Sequence, residues 1–315
     1  MDIREKCQPH LWLLTGTGEG HVFAESLLKE GWKITVSVVS DRASIPYEKL
    51  NLEKILIGAL ITEEEIRGVI LNARIHQNGF HCVVDLTHPF AMKITRSISK
   101  VCKELGQTFI RYERAIDNIS NAFLIEKFSD LRNYDLKNKS ILLAVGVRHL
   151  QEAFIFARNS GANVYARVLA NPESIRKTLS SSIQKTNFAV LNPSVSSNGK
   201  IEKALVRKWN IAGVICRQSG GSNEILWHRI CLSMRINLWL LERPTEFKNI
   251  YGDQDLIKFD DGKWVLSVYV TNIEASKESI YLMRQLNVAL NRDINKLKRI
   301  LFYSNKLLEL SLIHI

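Results

Sequence analysis

Apolar residues along this chain keep two rhythms. Leu11-Trp12-Leu13-Leu14, Ile34-Thr35-Val36-Ser37-Val38-Val39, Ile55-Leu56-Ile57, Cys82-Val83-Val84 and Thr108-Phe109-Ile110 are short apolar runs that predict buried strands. Segments of helical period, at 20–30, 62–77 and 90–105, lie between most of them. Continuous apolar strands alternating with helices predict right-handed crossovers and a parallel sheet covered on both faces. A second series starts at Ile141-Leu142-Leu143-Ala144-Val145 and continues through 163–168, 187–191, 211–216 and 237–241, again as α/β. The stretch 115–138, rich in Asn and Asp, reads as the passage between the two halves.

The halves echo each other. Val83-Val84 leads to Asp85-Leu86-Thr87-His88, a helix, a strand and Tyr112-Glu113-Arg114. Val214-Ile215 leads to Arg217-Gln218-Ser219-Gly220-Gly221, a helix, a strand and Leu241-Glu242-Arg243. The spacings, 28 residues from Asp85 to Glu113 and 25 from Arg217 to Glu242, predict similar topology in both halves. Two such sheets facing each other would put both polar loops at one cleft. Residues 246–315 break the rhythm with an acidic loop, one strand at 264–270 and then helical segments.

With 315 residues and 46% hydrophobic content the chain can build two ordinary cores. No apolar run approaches the roughly 18 residues of a membrane span. Met1-Asp2-Ile3-Arg4-Glu5-Lys6 lacks the long apolar stretch of a signal peptide, so the expectation is a cytoplasmic protein without a membrane part. The five cysteines include no Cys-x-x-Cys pair, which speaks against a disulfide framework and a zinc site and for reduced thiols. The formal charge is +11; residues 246–315 carry 10 basic and 9 acidic groups, so +10 belongs to the first 245 residues. Such a field attracts an anionic partner without naming it. A nucleic-acid binder would concentrate its charge in a patch with interleaved aromatics, whereas here it is dispersed, so nucleic acid is not expected.

Thr15-Gly16-Thr17-Gly18-Glu19-Gly20 follows the first strand and opens a helix, the place of a dinucleotide-binding loop. Glycine lets backbone approach a pyrophosphate, and the helix N-terminus offers unpaired N–H groups. The third glycine of G-x-G-x-x-G would fall on His21, so the motif alone is balanced by an ordinary glycine-rich turn. The second strand ends in Ser40-Asp41-Arg42. Arg42 with Ser40 favours the 2′-phosphate of NADP, Asp41 the ribose of NAD, and a solvated turn is the bland alternative. Ser219-Gly220-Gly221 also lies between strand and helix and could hold an anion in the same way, or merely tighten the turn.

Arg111, Arg114, Arg148, Arg167 and Arg243 each fall at or just beyond a strand end, the edge where open α/β sheets bind ligands. Any one of them could be a surface ion pair with a neighbour such as Glu113 or Glu242; five at one edge point to an anionic ligand. Asp85-Leu86-Thr87-His88-Pro89-Phe90-Ala91 leaves a buried strand for a helix that Pro89 is suited to start. His88 has no second ligand at metal spacing, so no metal site is expected.

Taken together, Thr15 to Gly20, Asp85 to Ala91, Arg111 to Arg114, Gly146-Val147-Arg148, Ser219 to Gly221 and Leu241-Glu242-Arg243-Pro244 come in the order and spacing of the precorrin-6A reductase family of cobalamin biosynthesis. The chain resembles that family over residues 10–245. The resemblance implies two Rossmann-like parallel-sheet α/β domains facing a cleft; residues 246–315 lie outside it and read as a short C-terminal α+β extension. Residues 1–125 would be the NADPH-binding domain, 126–245 the second α/β domain, and 246–315 an extension of unknown role. The implied reaction is NADPH-dependent reduction of one corrin-ring double bond, taking precorrin-6A or its cobalt form to the 6B form. The implied partner is an anionic tetrapyrrole whose acetate and propionate arms suit the basic field.

Carried over residue by residue, Gly16, Thr17, Gly18, Glu19 and Gly20 would cradle the cofactor phosphates, and Ser40 and Arg42 would meet the 2′-phosphate. Thr87, His88, Pro89 and Phe90 with Ser219, Gly220 and Gly221 would line the cofactor cleft. Arg111, Arg114, Arg148, Arg167 and Arg217 would meet the substrate, and His88 would be the proton donor, with solvent as the alternative. The chain departs from the family pattern at Arg217-Gln218, where Lys-Asn is usual, at Thr15, where Gly is usual, and at Asn192-Pro193-Ser194, where Gly-Pro-Phe is usual. The competing readings are an NADP-dependent reductase of another anionic metabolite, which lacks a Tyr-x-x-x-Lys pair here, and a nucleic-acid-binding protein.

Overall fold

The apolar runs form strands because each is covered on both faces. β1 (His10–Thr15), β2 (Lys33–Val38), β3 (Lys54–Ile57), β4 (Cys82–Leu86) and β5 (Phe109–Glu113) alternate with α1 (Glu19–Lys29), α2 (Asp41–Ser44), α3 (Glu63–His76) and α4 (Met92–Glu104). The computed structural model describes residues 8–16, 18–112, 122–192 and 199–244, together with the backbone of Glu113 and of two strands at 264–270 and 297–303.

Alternate residues of β1 enter different cores. Leu11 and Leu13 join Ile34, Val36 and Val84 under α1, while Trp12 and Leu14 join Ile66, Ile70, Val83 and Ile98 under α3 and α4. The Trp12 indole donates to Ser37 Oγ at 2.8 Å, so the polar atom of this buried ring is satisfied inside the sheet. Local signals set the helix starts. Thr62 and Glu65 form a capping box before α3, whose first turn carries three glutamates and whose last turn carries Arg74.

The second half repeats the pattern with β7 (Ser140–Ala144), β8 (Asn163–Val168), β9 (Phe188–Val190), β10 (Ile211–Arg217) and β11 (Asn237–Leu241). Between them run α5 (Val147–Asn159), α6 (Pro172–Leu179), α7 (Lys200–Lys208) and α8 (Ser222–Met234). Leu142, Val214, Cys216, Leu238 and Leu240 pack on Trp227 and Ile230 of α8. A Cβ on Gly213 would collide with the Trp239 ring, so glycine there is what lets that indole cross β10.

Contacts along the chain divide it into a unit of residues 1–115 with 257–315 and a unit of 116–256. The first sheet runs β3-β2-β1-β4-β5 and the second β9-β8-β7-β10-β11, so both place their strands in the same order. Every pairing among those strands is parallel. Each sheet is extended beyond its fifth strand. β6 (Phe123–Ile125), in the stretch expected as plain passage, pairs parallel with β11. β12 (Trp264–Val270) pairs antiparallel with β5, and β13 (Leu297–Tyr303) pairs parallel with β12. The sequence reading makes 297–303 helical; Ile300-Leu301-Phe302-Tyr303 is instead the β-branched and aromatic content that suits a pleated strand. The other helical segments expected in the tail lie outside the described residues. No helix among the described residues is long and apolar enough to cross a membrane.

Candidate functional site

In a sheet ordered 3-2-1-4-5 the crossovers reverse direction between the first and fourth strands, and ligands bind at the carboxyl ends there. In the first unit that point lies between β1 and β4. Gly16 leaves β1 beside the β4 loop, where a Cβ on it would stand 3.6 Å from Thr87 Cα and His88 N. Gly18 is the N-cap of α1 and brings no side-chain oxygen to the first-turn amides, and a Cβ on it would meet nothing within 4 Å. The start of α1 therefore offers open backbone to a phosphate. Thr17 lies outside the described residues, and Glu19 is the first residue of the helix.

Gly20 has a different role. A Cβ there would come 2.9 Å from Thr15 Cβ and 2.5 Å from the Tyr47 hydroxyl, so its lack of a side chain is what lets α1 lie on β1. This is the third-glycine function of the dinucleotide fingerprint, met one residue earlier than the standard spacing. Gly20→Ala is expected to cost about 1–3 kcal/mol through overpacking, read as a lower urea midpoint. Gly18→Ala, with its φ of −65° and open surroundings, should stay within about 0.5 kcal/mol of the native stability while weakening any ligand held at the α1 terminus. Ser40 and Arg42 are exposed where β2 gives way to the short helix α2, as the sequence predicts for that strand end.

The β4 loop is built around a buried ion pair. Arg111 Nη1 lies 2.6 Å from Asp85 Oδ2, with the two side chains only 1% and 0% exposed. Thr95 Oγ1 donates to Asp85 Oδ2 at 2.7 Å, and the Thr87 N–H donates to Asp85 Oδ1 at 2.8 Å. Arg111 donates in turn to Thr87 Oγ1 at 2.8 Å and to Thr95 Oγ1 at 3.1 Å. This corrects the reading of Arg111 as a substrate contact: its guanidinium is consumed by its own chain and holds the loop in shape. Pro89 is corrected as well. It sits in a turn closed by the Ala91 N–H on His88 O at 2.7 Å, and the helix starts three residues later at Met92. His88 is half-buried, and its Nδ1 accepts the Phe90 N–H at 3.2 Å. A neutral ring that accepts at Nδ1 carries its proton on Nε2, which makes Nε2–H the donor.

In the second unit the reversal falls between β7 and β10. Gly146, at φ +78°, caps α5, and a Cβ on it would stand 3.4 Å from Arg217 Nη2. Arg148 is exposed in the first turn of α5, with His149 half-buried beside it. Burial pushes the Arg217 guanidinium down to about 10, with Arg148 adding to the shift. Burial and then the charges of Arg217 and Arg148 lower His149 below its usual 6.5.

Ser219 and Gly220 are not the open anion cradle that the glycines suggest. Glu224, 3% exposed at the third position of α8, accepts the Ser219 N–H at 2.5 Å and the Gly220 N–H at 2.7 Å on one oxygen. The chain supplies its own carboxylate to these amides. The other Glu224 oxygen lies 3.6 Å from His228 Nε2. Gln218, the departure from the usual Asn, accepts the Arg243 N–H at 3.2 Å and so ties the exits of β10 and β11 together. Arg167, at the end of β8 as the sequence places it, is buried 3.8 Å from the buried Glu202. Arg114 lies outside the described residues.

Sequence reasoning missed Thr95 and Glu224. An acid three residues past Gly221 is the available signal for Glu224. Nothing local marks Thr95, because its partners Asp85 and Arg111 lie 10 and 16 residues away in sequence.

A family model described as Precorrin-6x reductase CbiJ/CobK matches residues 10–259. A cobalt-precorrin-6A reductase of Synechocystis sp. is 28% identical over 240 residues, covering 74% of this chain and 88% of that protein. A cobalt-precorrin-6A reductase of Priestia megaterium is 26% identical over 220 residues, covering 66% and 80%. Among solved structures, a CobK precorrin-6A reductase superposes with a TM-score of 0.59 at 17% identity, covering 76% of this chain and 89% of that one, which is a likeness of fold.

Proposed function

The chain belongs to the precorrin-6x reductase family, and from that premise we propose that it reduces one ring double bond of precorrin-6A, or of its cobalt-bearing form, using NADPH. The observation that carries the proposal is the extent of the family match, residues 10–259, which takes in every strand of both five-stranded parallel arrays.

NADPH fits the residues at the end of β1 and β2. Gly16, Gly18 and the first-turn amides of α1 would hold the pyrophosphate, because among the described residues nothing lies within 4 Å of a Cβ placed on Gly18. Ser40 and Arg42, exposed at the end of β2, would take the 2′-phosphate. The cofactor, when bound, supplies a hydride. Thr87 and His88 would border the reacting region, since the Asp85–Arg111 pair fixes the loop that carries them. The proton that completes the reduction would come from His88 or from solvent. Arg148 and Arg217 would meet carboxylate arms of the macrocycle.

Fluorescence titration of the protein with NADPH and with NADH tests the cofactor assignment. NADPH is expected to bind more tightly, and Arg42→Ala to erode that preference by roughly 10- to 100-fold, the worth of a charge-assisted phosphate contact. Equal affinity for the two cofactors, or a preference unmoved in Arg42→Ala, would reject the assignment of the 2′-phosphate. Turnover of precorrin-6A and of its cobalt form, followed by absorption, decides the substrate; reduction of neither would overturn the proposal.

A further inference from the structure

Tyr47 pins the segment that follows β2 to the start of α1. It closes the short turn Ile45–Tyr47 after α2 and lies in one apolar cluster with Phe23, Ala24 and Leu27 of α1, on which Ala43 and Leu50 also pack. A Cβ on Gly20 would stand 2.5 Å from the Tyr47 hydroxyl and 2.9 Å from Thr15 Cβ, so the hydroxyl meets the end of β1 over the first turn of α1. There it is hydrogen-bonded to the Thr15 side chain. The Thr15 hydroxyl directs its own proton to Ser37 O at 3.2 Å, so the phenol O–H is the donor to Thr15 Oγ1. Burial raises the Tyr47 phenol above its usual 10, which keeps that donor protonated.

This pair of hydroxyls joins three elements. Ser37, also held through its Oγ by the Trp12 indole at 2.8 Å, belongs to β2; Thr15 ends β1; Tyr47 lies beyond α2. Ser40 and Arg42 stand between Ser37 and Tyr47, and Gly16 and Gly18 follow Thr15 directly. Within the segment, the Ala43 N–H donates to Ser40 O at 2.9 Å and Ser44 Oγ to Asp41 O at 2.7 Å, contacts that set its internal shape without attaching it to α1. Thr15 stands where the family usually has glycine, which has no hydroxyl to offer, so the tie belongs to this chain.

We infer that Tyr47 is a positioning residue for cofactor selectivity: through Thr15 it fixes the loop that carries Ser40 and Arg42 relative to the open start of α1, so that one dinucleotide engages both. A loop ordered before binding loses less freedom when the ligand arrives, and its phosphate contact then contributes more to affinity. Removing the tie leaves the glycines at the start of α1 in place and weakens chiefly what distinguishes NADPH from NADH. The inference rests on the NADPH reading for the ligand and on the Tyr47–Thr15 contact for the tie.

Fluorescence titration of full-length Tyr47→Phe with NADPH and with NADH reads the selectivity. The ratio of the two affinities is expected to fall roughly 3- to 10-fold, the worth of one hydrogen bond, with NADH binding nearly unchanged. Thr15→Val, which keeps the shape and removes the hydroxyl, should lower the ratio at least as much, and Thr15→Ser should hold it near the native value. A merely structural tyrosine would weaken both cofactors in proportion. A ratio unmoved in Tyr47→Phe and Thr15→Val, or lost equally in Thr15→Ser, would overturn the inference. Amide hydrogen exchange without ligand supplies the second measurement. The Ala43 and Leu50 N–H groups should exchange roughly 3- to 10-fold faster in Tyr47→Phe, with Leu13 in β1 unmoved. Equal rates in native and variant proteins would overturn the inference whatever the cofactors do. A native protein that binds NADPH and NADH equally would instead reject the 2′-phosphate assignment, and the exchange rates would still decide whether Tyr47 holds the loop.

Discussion

Asp85→Ala is expected to cost about 3–5 kcal/mol of stability, because it strands the Arg111 guanidinium without its counter-charge in a site closed to solvent. The carboxylate receives Thr95, Thr87 and Arg111 together, and both members of the pair are at most 1% exposed. Paired replacement Asp85→Leu with Arg111→Met should recover much of that loss, since removing both charges leaves nothing unpaired. Urea unfolding followed by circular dichroism gives both values. A single-variant cost below about 1 kcal/mol, in the range of an exposed ion pair, would show that Arg111 finds solvent and that the loop does not depend on it.

Glu224→Ala should cost about 2–4 kcal/mol, as the Ser219 and Gly220 N–H donors just before α8 lose a charged acceptor. Glu224→Gln keeps an acceptor oxygen and should lose roughly half as much. Sulfate is the sharper probe. In the alanine variant the amides of Ser219 and Gly220 become a vacant cradle, so added sulfate should restore stability there beyond its general effect on the native protein. Equal stabilisation of native and variant proteins by sulfate would mean that Glu224 does not stand in for an anion.

The strand pattern was legible because buried parallel strands have nearly continuous apolar runs, and β8 and β11 begin and end at the residues the sequence predicts. β6 was not legible because three residues carry too little periodicity to register, and its pairing with β11 depends on a partner more than 100 residues away. The α4 start was misread at Pro89 because proline suits a first helical turn and a preceding turn equally; the His88–Ala91 hydrogen bond chose the latter.

At the candidate site, what could be read locally was the placement of glycines and charges at strand ends. What could not be read was which charges are spent within the chain. Arg111 and Arg148 look alike in sequence, yet Arg111 is held by a carboxylate 26 residues earlier and Arg148 is exposed. Ser219-Gly220-Gly221 and the loop after β1 look alike too, and only the reach of Glu224 back across its own helix start separates a filled cradle from an open one.

By itself the sequence determined that this protein has two parallel α/β sheets of like order and a basic surface, because apolar periodicity and net charge are properties of the chain that folding does not alter. Only the tertiary structure decided which glycine opens a ligand site, which merely admits a helix onto a strand, and which arginine remains available. Each of those depends on a neighbour brought close by packing, and an ion pair or a steric contact exists only once both partners are in place.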